Sequence, residues 1–268
     1  AANEFHRMRP AQIARERARR PIAYLPLGIL EWHGLHNPYG LDGLKAEGIA
    51  RYLARSVGGI VMPTLYYGDN RADICERHLD RDVPVSRVTW SPYTPAPEGA
   101  ELYNPADFMC ASIGVPRDSF ARDGERSLRR GGWRLWKELV AHTLFQIETY
   151  GFQTIVAIPG HYPMRQPLAE AIAAYREEGG ACRVLVLDDA RFSDDGKGDH
   201  AAAYETSLCL AAAPRTVSMR MIDPDPQAPL VGVALGEDPH VRASAEYGRR
   251  AMAAMAEWLR GELALPKR

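Results

Sequence analysis

The chain contains short, almost uninterrupted apolar runs separated by segments of helical periodicity, and this alternation limits the folds open to it. Apolar runs of about four to eight residues, bounded by turn residues, are typical of strands covered on both faces. We predict strands at Ile22–Leu27, Gly59–Tyr66, Gln153–Ile158 and Cys182–Leu187, with a candidate fifth strand at Leu230–Leu235.

Amphipathic segments fill the gaps between these runs. Trp133–Tyr150 places Trp136, Val140 and Ile147 on one stripe, and Gly151 follows where a helix is expected to end. Alternating strands and helices favour a parallel sheet with helices on both faces. We therefore predict a three-layer α/β/α fold with a mainly parallel central sheet, and 268 residues could form it as one large α/β domain or as two small ones. The predicted helices are Leu44–Ser56, Trp133–Tyr150, Leu168–Glu178 and Val241–Leu263.

Residues 69–125 interrupt this pattern. The segment is rich in Pro, Asp and Arg and shows little periodicity. A connection of this length without its own structure is uncommon in a compact domain, so we predict an irregular insertion that covers the active site or contacts a neighbouring subunit. The alternative is a disordered, solvent-exposed insertion, in which its aromatic side chains would be poorly placed: Trp90, Tyr93, Tyr103 and Phe108.

Composition excludes several classes of partner. The chain is 46% hydrophobic and 25% charged, as is usual for soluble globular proteins. Its net charge of −1 gives no electrostatic reason to expect nucleic acid or an anionic membrane as a partner. No apolar run approaches the roughly 18 residues of a membrane span, and the first residues lack a secretory apolar stretch. The four cysteines show no Cys-x-x-Cys spacing, so we expect reduced thiols and a cytoplasmic location.

The segment from Glu31 to Asp42 carries the chemistry. Glu31 and His33 lie two residues apart just after the first predicted strand, so in an extended segment both side chains point the same way. Asp42 opens the next predicted helix. His161 follows another predicted strand, and the carboxyl ends of parallel strands share one edge of a sheet. Carboxylates and imidazoles that converge at such an edge are suited to a divalent cation.

This segment resembles the signature of the creatininase family of metal-dependent amidohydrolases, in which Glu-x-His-Gly-x-His-x-Pro is followed four residues later by Asp. Pro159-Gly-His-Tyr162 resembles the Asn-Gly-His block of the family, and Asp199–Ser207 resembles its His-Ala-Gly-x-x-Glu-Thr-Ser block. The resemblance spans roughly residues 20–70 and 130–215. It implies a single creatininase-like α/β domain over residues 1–268. It also implies a small-molecule substrate and a homo-oligomer, which in this family is often a hexamer.

The resemblance implies three carboxylate and two imidazole ligands: Glu31, His33, Asp42, His161 and Glu205. Five ligands exceed the needs of one tetrahedral zinc ion. We therefore expect two divalent cations per subunit, with zinc, manganese and iron all compatible with these ligand types. Asp42 would bridge the two cations. Glu31 and His161 would complete one site, and His33 with Glu205 the other.

Further residues of the matching blocks are expected to support the reaction. His200 is the candidate proton donor to the leaving nitrogen, and Glu205 is counted with it as catalytic. Tyr162 either contacts substrate or is packed in the protein. His36 is expected to orient a ligand. Asp199 either orients the His200 ring or caps the helix that follows it.

One position departs from the family pattern. In creatininase itself, the residue two after the equivalent of His161 is a glutamate that ligates the second metal, whereas this chain has Pro163. Family members without that glutamate draw the carboxylate from the Glu-Thr-Ser block, which points to Glu205. The departure also argues against creatinine as the substrate.

The function that this pattern predicts is hydrolysis, with a metal-bound hydroxide attacking the carbonyl of a small cyclic or formylated amide. The same ligands are compatible with carbon–carbon cleavage in a cyclic, polyol-derived ketone. A third interpretation is a non-catalytic metabolite-binding protein with a structural metal.

Overall fold

The computed structural model describes residues 3–68, 81–87, 95–225 and 227–266. Its strands are β1 (Ile22–Leu27), β2 (Ile60–Val61), β3 (Val83–Pro84), β4 (Leu102–Tyr103), β5 (Thr154–Pro159) and β6 (Arg183–Val186). Four of them form the central sheet in the order β2-β1-β5-β6, and every pairing in it is parallel. β3 and β4 form a separate antiparallel pair.

Nine α-helices accompany the strands among the described residues. They are α1 (Pro10–Arg19), α2 (Leu41–Ser56), α3 (Pro105–Ile113), α4 (Ser119–Arg129), α5 (Trp133–Thr149), α6 (Arg165–Glu177), α7 (Ala203–Ala212), α8 (Pro239–Arg242) and α9 (Ala245–Glu262). Within the part of the chain that the structure covers, no helix is both long enough and apolar enough to cross a bilayer.

The central strands divide their side chains between two apolar layers. Alternate residues of a strand point to opposite faces, so Leu25 and Ala157 enter one core with α5 and α6. Tyr24 and Val156 enter the other core with α2, α7 and α9. Both faces of the sheet are therefore covered, and the predicted three-layer α/β/α fold with a parallel sheet is confirmed.

Two predicted strands differ from the structure. The predicted strand Gly59–Tyr66 is regular only at β2, because Pro63 has no N–H for a continuing ladder. The predicted fifth strand, Leu230–Leu235, is wrong. Gly232 and Leu235 have positive φ values of 73° and 62°, which a regular strand does not accommodate. Among the described residues, the segment forms an isolated antiparallel bridge between Ala234 and His200, and the Leu230 amide donates a hydrogen bond to the Ser86 carbonyl.

The segment 69–125 is less irregular than predicted. Its described part contains β3, β4, α3 and the start of α4, with Asn104 capping α3 through a 3.0 Å hydrogen bond from the Ala106 amide. Residues 69–80 and 88–94, which include Trp90 and Tyr93, lie outside the described residues. The role of this segment therefore stays a prediction.

The first turn of α2 lies directly against the carboxyl ends of β1 and β5. A Cβ atom added to Gly160 would stand 2.1 Å from the carbonyl oxygen of Asp42, and one added to Gly28 would stand 2.3 Å from the Cα of Gly43. The Gly160 amide also donates a 2.7 Å hydrogen bond to the Leu27 carbonyl. Only glycine permits these approaches, so the two strand ends fix where the start of α2 can lie.

We expect Gly160→Ala to lower the free energy of unfolding by about 1–3 kcal/mol, because its methyl group would meet backbone rather than a movable side chain. Divalent-cation binding should weaken as well, because Asp42 must shift. Urea unfolding of the metal-free protein measures the first effect. Gly261→Ala in α9 is the matched control, since no atom lies within 4 Å of its added Cβ. Equal stability of the two variants would contradict the proposed contact.

Candidate metal centre

Five predicted ligands come together beyond the carboxyl edge of the sheet. Glu31 and His33 follow β1, and His161 follows β5. Asp42 lies in the first turn of α2, and Glu205 lies in the first turn of α7. All five are buried, with exposed fractions of 1–5%. Residues separated by up to 174 positions in the chain thus share one small volume.

The ligand atoms form two clusters that meet at Asp42. In the first, His161 Nδ1 lies 2.9 Å from Glu31 Oε2 and 3.5 Å from Asp42 Oδ2. In the second, His33 Nε2 lies 3.3 Å from Asp42 Oδ1 and 3.7 Å from Glu205 Oε2. Each oxygen of Asp42 therefore faces a different cluster, and within each cluster the ligand atoms lie within 4.8 Å of one another.

The donor atoms fit a divalent cation. Ligands held about 2.1 Å from one cation stand about 3–3.5 Å apart, close to the separations in both clusters. Among the described residues, neither oxygen of Asp42 has a hydrogen bond of acceptable geometry, although both are buried. Buried carboxylate oxygens normally have such partners, and a bound cation would satisfy them.

The charges of the clusters shift each other's pKa values. Burial works against a charged imidazole at His33, but the carboxylates of Asp42, Glu31 and Glu205 outweigh it and raise its pKa to about 10. Burial likewise opposes a charged His161, whose pKa is nevertheless raised well above its ordinary value by Glu31 and Asp42. The two imidazoles in turn lower the pKa of Asp42, against the effect of its burial. Without a cation, protonated histidines therefore neutralise the carboxylates.

A hydrogen bond to a backbone carbonyl orients the His33 ring. His33 Nδ1 lies 3.0 Å from the Glu31 carbonyl oxygen, which directs Nε2 toward Asp42. A second-nitrogen contact of this kind commonly fixes the tautomer of a metal-binding histidine.

His36 contacts the segment that leads to Glu205 rather than a ligand ring. Its Nε2 lies 3.1 Å from both the Ala201 carbonyl and Thr206 Oγ1. Burial lowers the pKa of His36 to about 4, so the ring is neutral at pH 7. These contacts lie on either side of Glu205 in the sequence, and the role of His36 in orienting a ligand stays a prediction.

Asp199 caps the helix that carries Glu205. Its two carboxylate oxygens accept hydrogen bonds from the backbone amides of Tyr204, at 2.7 Å, and Glu205, at 3.0 Å. These amides belong to the first turn of α7, where they have no partner within the helix. The sequence left open whether Asp199 orients the His200 ring or caps the helix that follows. The contacts of Asp199 with these two amides are those of a helix cap.

His200 lies beside the second cluster. Its ring stacks on the His33 ring with centroids 4.5 Å apart, and it can form a third group of ligand atoms with Glu31 and His33. Burial, followed by the nearby His33, lowers the pKa of His200. Backbone hydrogen bonds of 2.9 Å in both directions join His200 to Ala234.

Tyr162 and Pro163 form a tight turn between β5 and α6. Pro163 occupies an early position of the 3-10 turn Tyr162–Met164, where its fixed φ is favourable. The Tyr162 hydroxyl is buried against Gly198, and it has no hydrogen-bond partner among the described residues. The residue as a whole is partly exposed.

Two charged residues of the centre were missed in the sequence. Lys45 is fully buried, contacts Glu205 through a hydrogen bond, and lies 3.3 Å from Asp189 Oδ2. Burial raises the pKa of Asp189 to about 6, against the lowering effect of Lys45. The sequence position of each residue could have indicated its place in the centre. Lys45 is one helical turn from Asp42, and Asp189 follows β6 at the edge already assigned to His161.

The fold and these clusters define an α/β protein with a buried carboxylate–imidazole centre able to hold divalent metal. The chain belongs to the creatininase family. The family model, described as creatinine amidohydrolase, matches residues 6–78 and 133–263 and leaves most of the 69–125 segment unmatched. No curated protein matches the chain.

Solved creatininase structures share the fold. A structure described as manganese creatininase is 20% identical, covers 98% of this chain and 99% of its own, and has a TM-score of 0.62. A mutant creatininase of the "Zn-Zn type" is also 20% identical, with 98% of each chain covered and a TM-score of 0.60. A putative creatinine amidohydrolase from Bacteroides fragilis is 17% identical, with 90% of this chain and 88% of that chain covered and a TM-score of 0.50.

We expect cation binding at pH 7 to release close to two protons per subunit. The pKa of His33 is raised to about 10 and that of His161 well above its ordinary value, so both rings are protonated at pH 7 in the metal-free protein and must become neutral to bind a cation. Apparent affinity should therefore rise with pH across the neutral range. Calorimetric titration in buffers of different ionisation enthalpy counts the protons. A pair of ordinary histidines would release only about half a proton at pH 7, and that value would contradict the charge arrangement.

Proposed function

We propose that this protein is a metal-dependent hydrolase that opens a carbon–nitrogen bond in a small cyclic amide. The observation that carries the proposal is the position of Asp42, whose two oxygens face two separate groups of buried ligands. One carboxylate between two cations is the arrangement that paired-metal hydrolases use. Membership of the creatininase family supports the same reaction class.

Two cations would be held by residues of this chain. Glu31, Asp42 and His161 would hold the first, and His33, Asp42 and Glu205 the second. Zinc, manganese and iron all suit these ligands, and zinc and manganese appear in the descriptions of related structures. When bound, the cations supply a polarised substrate carbonyl and a water molecule of lowered pKa.

His200 would handle the proton that the reaction moves. Its pKa is lowered in the metal-free protein, so the ring is neutral at pH 7 and able to accept a proton from water. It would then return that proton to the leaving nitrogen. Its stacked position on His33 keeps the ring beside the second group of ligands.

The substrate class rests on the family and on one departure from it. The family description names creatinine amidohydrolase, which acts on a cyclic amide. Pro163 stands where creatininase itself has a ligating glutamate, which favours a substrate other than creatinine. Tyr162, which is partly exposed as a whole residue, would border the substrate. A homo-oligomer and a cytoplasmic location remain predictions from the sequence.

A substrate panel tests the reaction. The protein, loaded with zinc or manganese, would be assayed against lactams, hydantoin-like rings and formamides, and in parallel against cyclic polyol-derived ketones. Turnover of the nitrogen compounds supports the proposal. Turnover of the ketones alone would replace it with carbon–carbon cleavage, and tight binding without turnover would indicate a metabolite-binding protein.

Asp42→Ala should weaken binding of both cations by more than about a hundredfold and abolish turnover, because both ligand groups lose a shared oxygen donor. Metal analysis after dialysis and calorimetry measure the loss. Glu47→Ala is the matched control, since this carboxylate lies on the same helix and pairs with Arg51 at 2.6 Å, away from the ligands. Retained turnover by metal-depleted Asp42→Ala would refute the proposal.

His200→Asn should keep both cations while kcat falls by about 10²–10⁴-fold, which is the usual contribution of a general acid–base group. KM should change little. Metal content and steady-state kinetics are measured on the same preparation. Loss of a cation from this variant would instead make His200 a ligand in the group with Glu31 and His33.

A further inference from the structure

A lysine ammonium group lies buried behind the metal ligands. Lys45 has no exposed surface, although it carries one of the most strongly hydrated charges in proteins. Removing such a charge from water costs several kcal/mol unless partners compensate it. Its position on α2, three residues after Asp42, directs it toward the same edge of the sheet.

The contacts of Lys45 are all on the side of the metal centre. Its Nζ donates a hydrogen bond to Glu205 Oε1 and lies 3.3 Å from Asp189 Oδ2. The same nitrogen lies 4.6 Å from the centroid of the Tyr162 ring, within the range of a cation–π contact. Three separate elements therefore fix the ammonium group.

Each carboxylate oxygen of Glu205 therefore has its own contacts. Oε1 accepts from Lys45, while Oε2 accepts a 2.9 Å hydrogen bond from the Ala201 amide and lies 3.7 Å from His33 Nε2. A free glutamate on a helix has several rotamers and can offer one or two oxygens to a cation. Here the Lys45 contact leaves Oε2 as the oxygen that faces His33 and Asp42.

We propose that Lys45 is a positioning residue that holds Glu205 as a one-oxygen ligand of the cation shared with His33 and Asp42. This inference rests on the proposed function. Because it limits Glu205 to one oxygen, it leaves more of that cation's coordination open to water and substrate than a two-oxygen carboxylate would.

Removing Lys45 has two opposite effects on cation affinity, one through its charge and one through the orientation of Glu205. Loss of a nearby positive charge alone would tighten cation binding, since like charges repel. Loss of orientation would weaken it, because Glu205 could turn away. Asp189 already offsets the charge of Lys45 at 3.3 Å, so we expect orientation to dominate.

The test is a titration of the metal-free protein with Mn²⁺, followed by calorimetry and by electron paramagnetic resonance, which distinguishes single Mn²⁺ ions from coupled pairs. In Lys45→Met the second Mn²⁺ should bind at least tenfold more weakly, and the signal of single ions should persist at two equivalents. Affinity for the first Mn²⁺, at Glu31, Asp42 and His161, should stay within threefold of wild type. Lys137→Met, which removes a surface lysine paired with Glu170, is the matched control.

A double variant decides the question if Lys45→Met folds poorly. Lys45→Met/Asp189→Leu removes one positive and one negative buried charge, so it keeps the net charge of the centre and replaces the ion pair with apolar groups. Its second Mn²⁺ should again bind at least tenfold more weakly than in wild type.

Second-site affinity in the double variant within threefold of wild type, or higher, would overturn the role of Lys45. Equal weakening of both sites would also overturn it, because that result describes general damage. If wild type itself binds no second cation, the proposed function and this inference both fail. Two cations in wild type with no effect of the double variant would leave the proposed function intact.

Discussion

The close approach of two strand ends to the first turn of α2 is the contact on which the metal centre depends. Gly28 and Gly160 allow backbone to meet backbone there, and Asp42 is the acidic residue in the first turn of α2. Its carboxylate therefore lies at the point where chain segments from β1 and β5 meet. His33, which precedes Asp42 in the sequence, lies near one of its carboxylate oxygens. His161, which follows it, lies near the other. The geometry of the centre is thus a property of the sheet edge.

Positively charged side chains balance the buried carboxylates in the metal-free protein. Buried carboxylates alone would repel one another, and burial would favour their neutral forms. The raised pKa values of His33 and His161 supply positive charge at neutral pH, and Lys45 adds a permanent one. A cation would therefore exchange with protons in an existing site. This differs from small zinc domains, in which the metal organises an otherwise unfolded chain.

The sequence predicted the parts of this arrangement that follow from hydrophobic periodicity or from the shared carboxyl edge of a parallel sheet. The three-layer fold followed from apolar runs alternating with helices, and the meeting of Glu31 with His161 followed from the shared edge of parallel strands. Leu230–Leu235 was predicted as a strand because the run is apolar. The positive φ of Gly232 prevents a regular strand there. Lys45 escaped notice because a lysine on an amphipathic helix is normally solvated. The converging acids Glu205 and Asp189 help to compensate its buried charge, and they are distant in sequence.

The paired hydrogen bonds between His200 and Ala234 have a wider consequence. They tie the histidine to a loop that contains two left-handed backbone positions, Gly232 and Leu235, and that packs against Asp199 through Gly236. The loop supplies no metal ligand, yet any drift in its path would tilt the imidazole relative to its stacked neighbour. Divergence in this remote stretch would therefore shift the His200 ring among related chains while all five candidate ligands stay the same.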